Sequence, residues 1–194
     1  HDVRAMVRRI VNGLFDDDSA AVPGVAPKDG AEESADVRDL EVRVIAIGGD
    51  HGGFALKERL AFRLKEQGYT VTDCGTDSTD AVDYPDIAAS VARKVAGGHA
   101  DVGIVIDGAG IGSAMAANKI PGVRAALCYD LSTAHNAREH NHANVLTLGA
   151  GLIGDALAWQ ITQEFISTPY GGGRHARRVA KINDLERPLA ENQA

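Results

Sequence analysis

The sequence predicts an α/β fold: a Rossmann-like three-layer α/β/α sandwich around a five-stranded parallel sheet, preceded by an N-terminal amphipathic helix on a linker. Two observations carry that expectation. Short apolar runs alternate with stretches of helical period from residue 41 to residue 183. The connections between them are short, so successive strands are joined by helical crossovers and lie parallel, with helices covering both faces.

In order, "EVRVIAIG" (41–48) reads as a buried strand, and "FALKERLAFRLKEQG" (54–68) as an amphipathic helix closed by glycine. "YTVTDCG" (69–75) is a second, shorter strand. "YPDIAASVARKVAGG" (84–98) is a helix with proline at its start and two glycines at its end. "DVGIVID" is the third strand, "SAMAANK" its helix, and "GVRAALC" (122–128) the fourth strand. "LSTAHNAREHN" (131–141) is helical, "ANVLTLG" (143–149) is strand five, and "DALAWQITQEFIS" (155–167) is a helix. A last helix covers "GRHARRVAKINDLE" (173–186).

Four regions result: an amphipathic helix over 1–16, a flexible linker over 17–40, a globular α/β domain over 41–186 and a tail over 187–194. The linker contains clustered acids, prolines and small residues. In the first region Val3, Met6, Val7, Ile10, Val11, Leu14 and Phe15 share one helical face, with Arg4, Arg8 and Arg9 largely off it. One short tethered helix cannot bury that face alone, so it needs a surface to dock on.

The formal net charge of −7 argues against a nucleic-acid partner, which would call for a basic stripe. No apolar run is long enough to span a bilayer, and no secretory leader is visible, so no membrane role is expected. Cys74 and Cys128 sit in no metal-type or redox-type pair. A reducing cytoplasm with both thiols free fits, and neither a metal nor a cofactor is expected.

Chemistry concentrates in three loops. "GGDHGGF" puts Asp50 and His51 among glycines after strand one, and "DGAGIGS" puts Asp107 before Gly108, Gly110 and Gly112 after strand three. "REHNHAN" follows strand four and its helix, and is expected at the same carboxyl edge of the sheet. If strands one and three are neighbours, Asp50, His51 and Asp107 converge on one crevice. The glycine loop is not the dinucleotide fingerprint, because G-x-G-x-x-G is absent. It is either a tight βα turn or an anion pocket of helix-end amides beside a base. Asp50 suits a helix cap, a role compatible with catalysis. Arg174 and Arg178, four apart on one helical face, form either a solvated basic patch or a phosphate grip.

Five blocks, "GGDHGGFALK", "VDYPDIA", "GAGIGSAMAANKIPGVRAALC", "AREHNHANVLTLGA" and "GGRHARRVAKI", together resemble the type B ribose-5-phosphate isomerases, a family shared with the galactose-6-phosphate isomerase subunits. The resemblance implies a Rossmann-like domain and a homodimer or dimer of dimers with active sites completed across it. It also implies metal-free aldose–ketose isomerisation of a sugar phosphate through a cis-enediolate. By position, Asp50, His51 and Tyr84 match substrate-binding residues. Gly108, Gly110, Gly112 and Ser113 match the enediolate anion hole. His140 matches the ring-opening histidine and Asn141 a sugar-hydroxyl ligand. Arg174 and Arg178 match phosphate-binding arginines that serve the partner subunit's site.

Two departures matter. Asp107 stands where the family commonly has a cysteine base, and Ala109 where it has a threonine that helps ring opening. A glutamate base used by another branch is replaced by Ser113. Asp107 is therefore expected to be the catalytic base, with a catalytically altered sugar-phosphate-binding homologue or a tetrose phosphate isomerase as alternatives. The tethered helix resembles the encapsulation peptides of bacterial microcompartment cargo enzymes, which implies docking of residues 3–15 on a shell protein. Packing on its own dimer is the plainer alternative.

Overall fold

The computed structural model describes residues 42–186. The expected helix at 3–15, the linker and the tail lie outside the described residues. The elements are β1 (Val44–Gly49), α1 (Phe54–Glu66), β2 (Thr70–Asp73), α2 (Tyr84–Ala96), β3 (Val102–Asp107) and α3 (Ile111–Ala117), followed by β4 (Ala125–Leu127), α4 (Leu131–Glu139), β5 (Val145–Gly149), α5 (Asp155–Ser167) and α6 (Arg174–Asp184).

The five strands form one parallel sheet in the order β2-β1-β3-β5-β4. Every residue of β3 is buried, as its unbroken apolar run requires of a central parallel strand. β2 and β4 are the edges and are short and half-exposed. On one face Ile45, Ile47, Ile104, Ile106, Leu146 and Leu148 meet Leu60 and Leu64 of α1, Ala134 of α4, and Ile161 and Phe165 of α5. On the other, Ala46, Val105 and Val145 meet Ala88, Val91, Ala92 and Val95 of α2 and Ala117 of α3. Small strand residues set that second spacing: a methyl group on Gly103 would lie 2.6 Å from Val91 Cγ1.

Local chemistry fixes the helix starts. α2 opens at Asp83 with proline in its first turn. α4 is held by a reciprocal cap, with Thr133 N donating to Asp130 Oδ1 at 2.7 Å and Asp130 N donating to Thr133 Oγ1. α3 begins at Gly110, whose φ of 77° and contact with Leu127 both exclude a side chain. α6 buries only Val179. It is tied down by Glu186, which accepts from Gly122 N, and by Asn183, which accepts from Arg124 Nη1.

Strand order reverses between β1 and β3, because β1 leads outward to β2 and the chain then returns to β3. Their carboxyl ends therefore flank the crevice where ligands bind in such sheets.

Candidate active site

β1 and β3 are adjacent, and their register pairs Gly49 with Ile106. The next residues, Asp50 and Asp107, thus emerge side by side, about 4.8 Å apart along the hydrogen-bonding direction. Asp50 N donates to Ile106 O at 3.1 Å and locks the alignment. Gly53 seats against the same carbonyl, where a Cβ would lie 2.1 Å from the oxygen. This explains Gly53: the βα turn is pressed onto β3 there.

The two carboxylates differ sharply in their partners. Asp107 is 5% exposed. Its Oδ1 accepts from Ala109 N at 2.8 Å and from Gly110 N, and its Oδ2 accepts from Ser113 N at 3.0 Å and Ser113 Oγ at 2.5 Å. Four donors fill the four lone-pair positions of a carboxylate. Asp50, 8% exposed, accepts at Oδ1 from Gly53 N at 2.9 Å. Among the described residues no donor reaches its Oδ2. Beyond it, Gly108 is exposed and a side chain there would meet nothing within 4 Å.

The expected anion hole is therefore corrected in part. The amides of Gly110 and Ser113 are turned inward to Asp107 and are not open to a ligand. Those of Gly108, Ile111 and Gly112 have no acceptor among the described residues. Tyr84 lies over Gly112, so closely that a Cβ there would sit 2.7 Å from the phenol oxygen. His51 is exposed, and its Nδ1 accepts from Val82 N at 3.4 Å. Asp50, His51, Tyr84, Asp107 and the glycine loop thus share one edge of the sheet.

The third loop does not. His140 caps the end of α4 and leads into the start of β5, so "REHNHAN" lies at the amino edge, opposite to the expectation. A helix that follows a strand runs back along it, so loops after helices reach the other end of the sheet. At about 3.3 Å per strand residue, β5 alone separates the two edges by roughly 15 Å. There His140 stacks on His175 with ring centroids 4.2 Å apart and planes within 5°. Asn136 Nδ2 faces His140 Nδ1 at 2.8 Å, and Asn136 Oδ1 accepts from Asn141 Nδ2 at 3.1 Å. His140 Nε2 lies 3.5 Å from Glu139 Oε2. His135 bridges Glu139 and Glu164 behind it. Arg174 and Arg178 begin α6, both exposed. Burial, with the charges of His140, Arg174 and Arg178, pulls His175 below the ordinary histidine value.

Lys57 escaped the sequence reading. It is 1% exposed, and its ammonium donates to Asp73 Oδ2 at 2.6 Å and Thr76 O at 2.7 Å, with Glu58 Oε1 at 2.9 Å. Burial lowers its proton affinity, but the hydrogen bonds and charges of Asp73 and Glu58 outweigh that and leave it raised. Its signal was a lysine in register with Leu60, Ala61 and Leu64 on the buried face of α1. It fastens the loop after β2 beside Asp50. Among the described residues, a cavity of about 620 Å³ opens between Val42, Tyr69, Arg138 and Pro169, and no expected site residue lines it. Cys128 is buried, and its thiol is pushed up to about 11 by that burial, which suits an inert core residue.

The profile of the Ribose/Galactose Isomerase family matches residues 45–182, which span both edges of the sheet. The chain belongs to that family. The ribose-5-phosphate isomerase B of Escherichia coli is 43% identical over 145 residues, covering 75% of this chain and 97% of the relative. Among solved structures, the ribose-5-phosphate isomerase B of Clostridium thermocellum superposes with a TM-score of 0.73 at 48% identity, over 74% of this chain and 97% of that one. That of Mycoplasma genitalium, solved with bound ribulose-5-phosphate, gives 0.71 at 40% identity, over 78% and 97%. This family member is thus a sugar-phosphate isomerase homologue of the ribose-5-phosphate class, with the Rossmann-like fold expected. Its described residues contain no helix long and apolar enough to cross a membrane.

Proposed function

We propose that this chain interconverts ribose 5-phosphate and ribulose 5-phosphate through a cis-enediolate. The observation that carries the reading is the crevice at the β1–β3 switch point: two adjacent carboxylates, amides without internal acceptors, and open space above Gly108. A strand-end carboxylate takes the proton from C2 and returns it at C1. Asp107 is nominated by its place in the family's motif, and Asp50 stands beside it. Carboxylates are adequate bases for a proton next to a carbonyl. The amides of Gly108 and Gly112 hold the negative oxygen, and Tyr84 and His51 line the sugar.

Arg174 and Arg178 grip the phosphate, His140 opens the ring and Asn141 binds a hydroxyl, all from the opposite edge. Because the edges of one protomer are so far apart, a second copy supplies the amino-edge residues. A homodimer, or a dimer of dimers, is the functional unit.

The test is exchange of solvent deuterium into substrate C2, measured across a panel of pentose and tetrose phosphates. Exchange with ribose 5-phosphate is expected. Exchange confined to erythrose 4-phosphate would move the substrate to a tetrose, consistent with Ala109 in the ring-opening position. Saturable binding without exchange would leave a sugar-phosphate-binding homologue.

The proposal extends to location inside a bacterial microcompartment through residues 3–15, supported by their apolar stripe alone. Residues 1–22 fused to a fluorescent reporter in a shell-forming host should give punctate fluorescence. Diffuse signal, unchanged by Ile10→Glu with Leu14→Glu, removes the shell partner.

A further inference from the structure

Resting on the isomerase reading, we propose that Asp50, and not Asp107, is the base that moves the proton between C1 and C2. The two carboxylates share the crevice, and the hydrogen bonds around them decide their roles.

A carboxylate that accepts a proton becomes an acid with one carbonyl-type oxygen and one hydroxyl. Asp107 has no oxygen left over to meet a proton arriving from the crevice. Both of its oxygens face donors: Ala109 N and Gly110 N on Oδ1, Ser113 N and Ser113 Oγ on Oδ2. A hydroxyl on Oδ1 would be set against two amides, and one on Oδ2 would have to donate to Ser113 Oγ, turned inward and away from the crevice. Freeing an oxygen toward the crevice would strand buried amides. Both of its oxygens are engaged by its own loop and helix. Asp107 therefore acts as the acceptor that folds the glycine loop and starts α3.

Asp50 fits both protonation states. Oδ1 accepts from Gly53 N whether the group is charged or neutral, because a carbonyl oxygen serves that bond equally. Oδ2, without a donor among the described residues, is the oxygen that can take the proton. A Cβ on Gly52 would lie 3.4 Å from Asp50 Oδ1 and 3.7 Å from Gly108 N, so the carboxylate stands beside the start of the glycine loop. The space above Gly108 is open, and the amides of Gly108 and Gly112 face no internal acceptor. A substrate carbonyl seated on those amides brings its α-carbon next to Asp50.

The step balances on the substrate alone. Asp50 Oδ2 takes hydrogen from C2 of the open-chain aldose as a proton. The C2–H electron pair becomes the C1=C2 double bond, and the aldehyde π pair moves onto O1. The hydroxyl proton on O2 passes to O1, and Asp50 returns its proton to C1. C2 then holds the ketone, with no external oxidant or reductant.

Asp50→Asn is the deciding variant, because an asparagine oxygen still accepts from Gly53 N and the fold is expected to survive. With ribose 5-phosphate as probe, the variant should keep its melting temperature and KM. It should lose C2 deuterium exchange and kcat by about 1,000-fold. Asp50→Glu should recover part of the exchange. Asp50→Asn with exchange within tenfold of wild type overturns the assignment and returns the proton to Asp107. So does a raised KM at unchanged kcat, which is the signature of a binding residue. A wild-type protein with no exchange on any sugar phosphate overturns the isomerase reading itself, and the assignment with it.

Discussion

The two ends of the sheet are built in opposite ways. At the carboxyl edge, polar groups come from buried strand ends and from turns pressed onto neighbouring backbone, and both oxygens of Asp107 are held by the loop and helix that follow it. At the amino edge the cations stand on an exposed helix that buries only Val179. Proton transfer needs fixed geometry, whereas a phosphate is held by long side chains that adapt to it. The proposed function sets each kind of chemistry where the fold offers matching rigidity. On the proposed reading, neither edge makes a whole site alone.

The strongest way to break this division is to disable the edges separately and then combine them. Asp50→Asn homodimers and Arg174→Ala/Arg178→Ala homodimers should each lose at least about 100-fold in turnover. Mixed dimers, co-expressed and purified through two different tags, should regain about half of wild-type activity, since one of the two sites is then intact. Mixed dimers as inactive as their parents would dispose of sites shared between copies.

A smaller effect separates loop-building from catalysis at Asp107. Replacing it by alanine leaves four donors without their acceptor. Allowing for water entry, the cost should be about 3 kcal/mol, or roughly 10 °C in melting temperature for a domain of this size. A residue kept for catalysis behaves differently, because its removal tends to leave stability unchanged or improved. A melting temperature within about 2 °C of wild type would sink the loop-building role and favour Asp107 as a reacting group.

These two carboxylates also mark how far the sequence could be read. The unbroken apolar run of β3, the proline of α2 and the glycines closing α1 and α2 announce elements through local chemistry, and the sheet follows from their alternation. Convergence of Asp50 and Asp107 required only that β1 and β3 be neighbours. Their difference was not legible, because it lies in which amides the 108–113 backbone turns inward, and a string of glycines permits either arrangement. "REHNHAN" was placed at the wrong edge for a simpler reason: a loop after a helix and a loop after a strand look alike in composition. Lys57 was hidden because its cationic end is paid for by Asp73, sixteen residues on and in another element.

The finest test concerns charge at the amino edge. Burial first, then His140, Arg174 and Arg178, hold His175 below the ordinary value of 6.5. Between its folded value and 6.5, the unfolded chain binds a proton that the folded chain refuses. His175 therefore leaves stability intact above pH 6.5 and erodes it as pH falls through that window. His175→Gln should flatten this acid-side decline in melting temperature. A phosphate between the arginines cancels the charge that disfavours the imidazolium, so inorganic phosphate should move the His175 titration upward in NMR spectra, with the variant assigning the signal. An unmoved titration at saturating phosphate would mean that Arg174 and Arg178 are a solvated patch. The amino edge would then hold a histidine stack without an anion, and the phosphate would have to be held at the carboxyl edge, where the His51 side chain stands exposed beside the crevice.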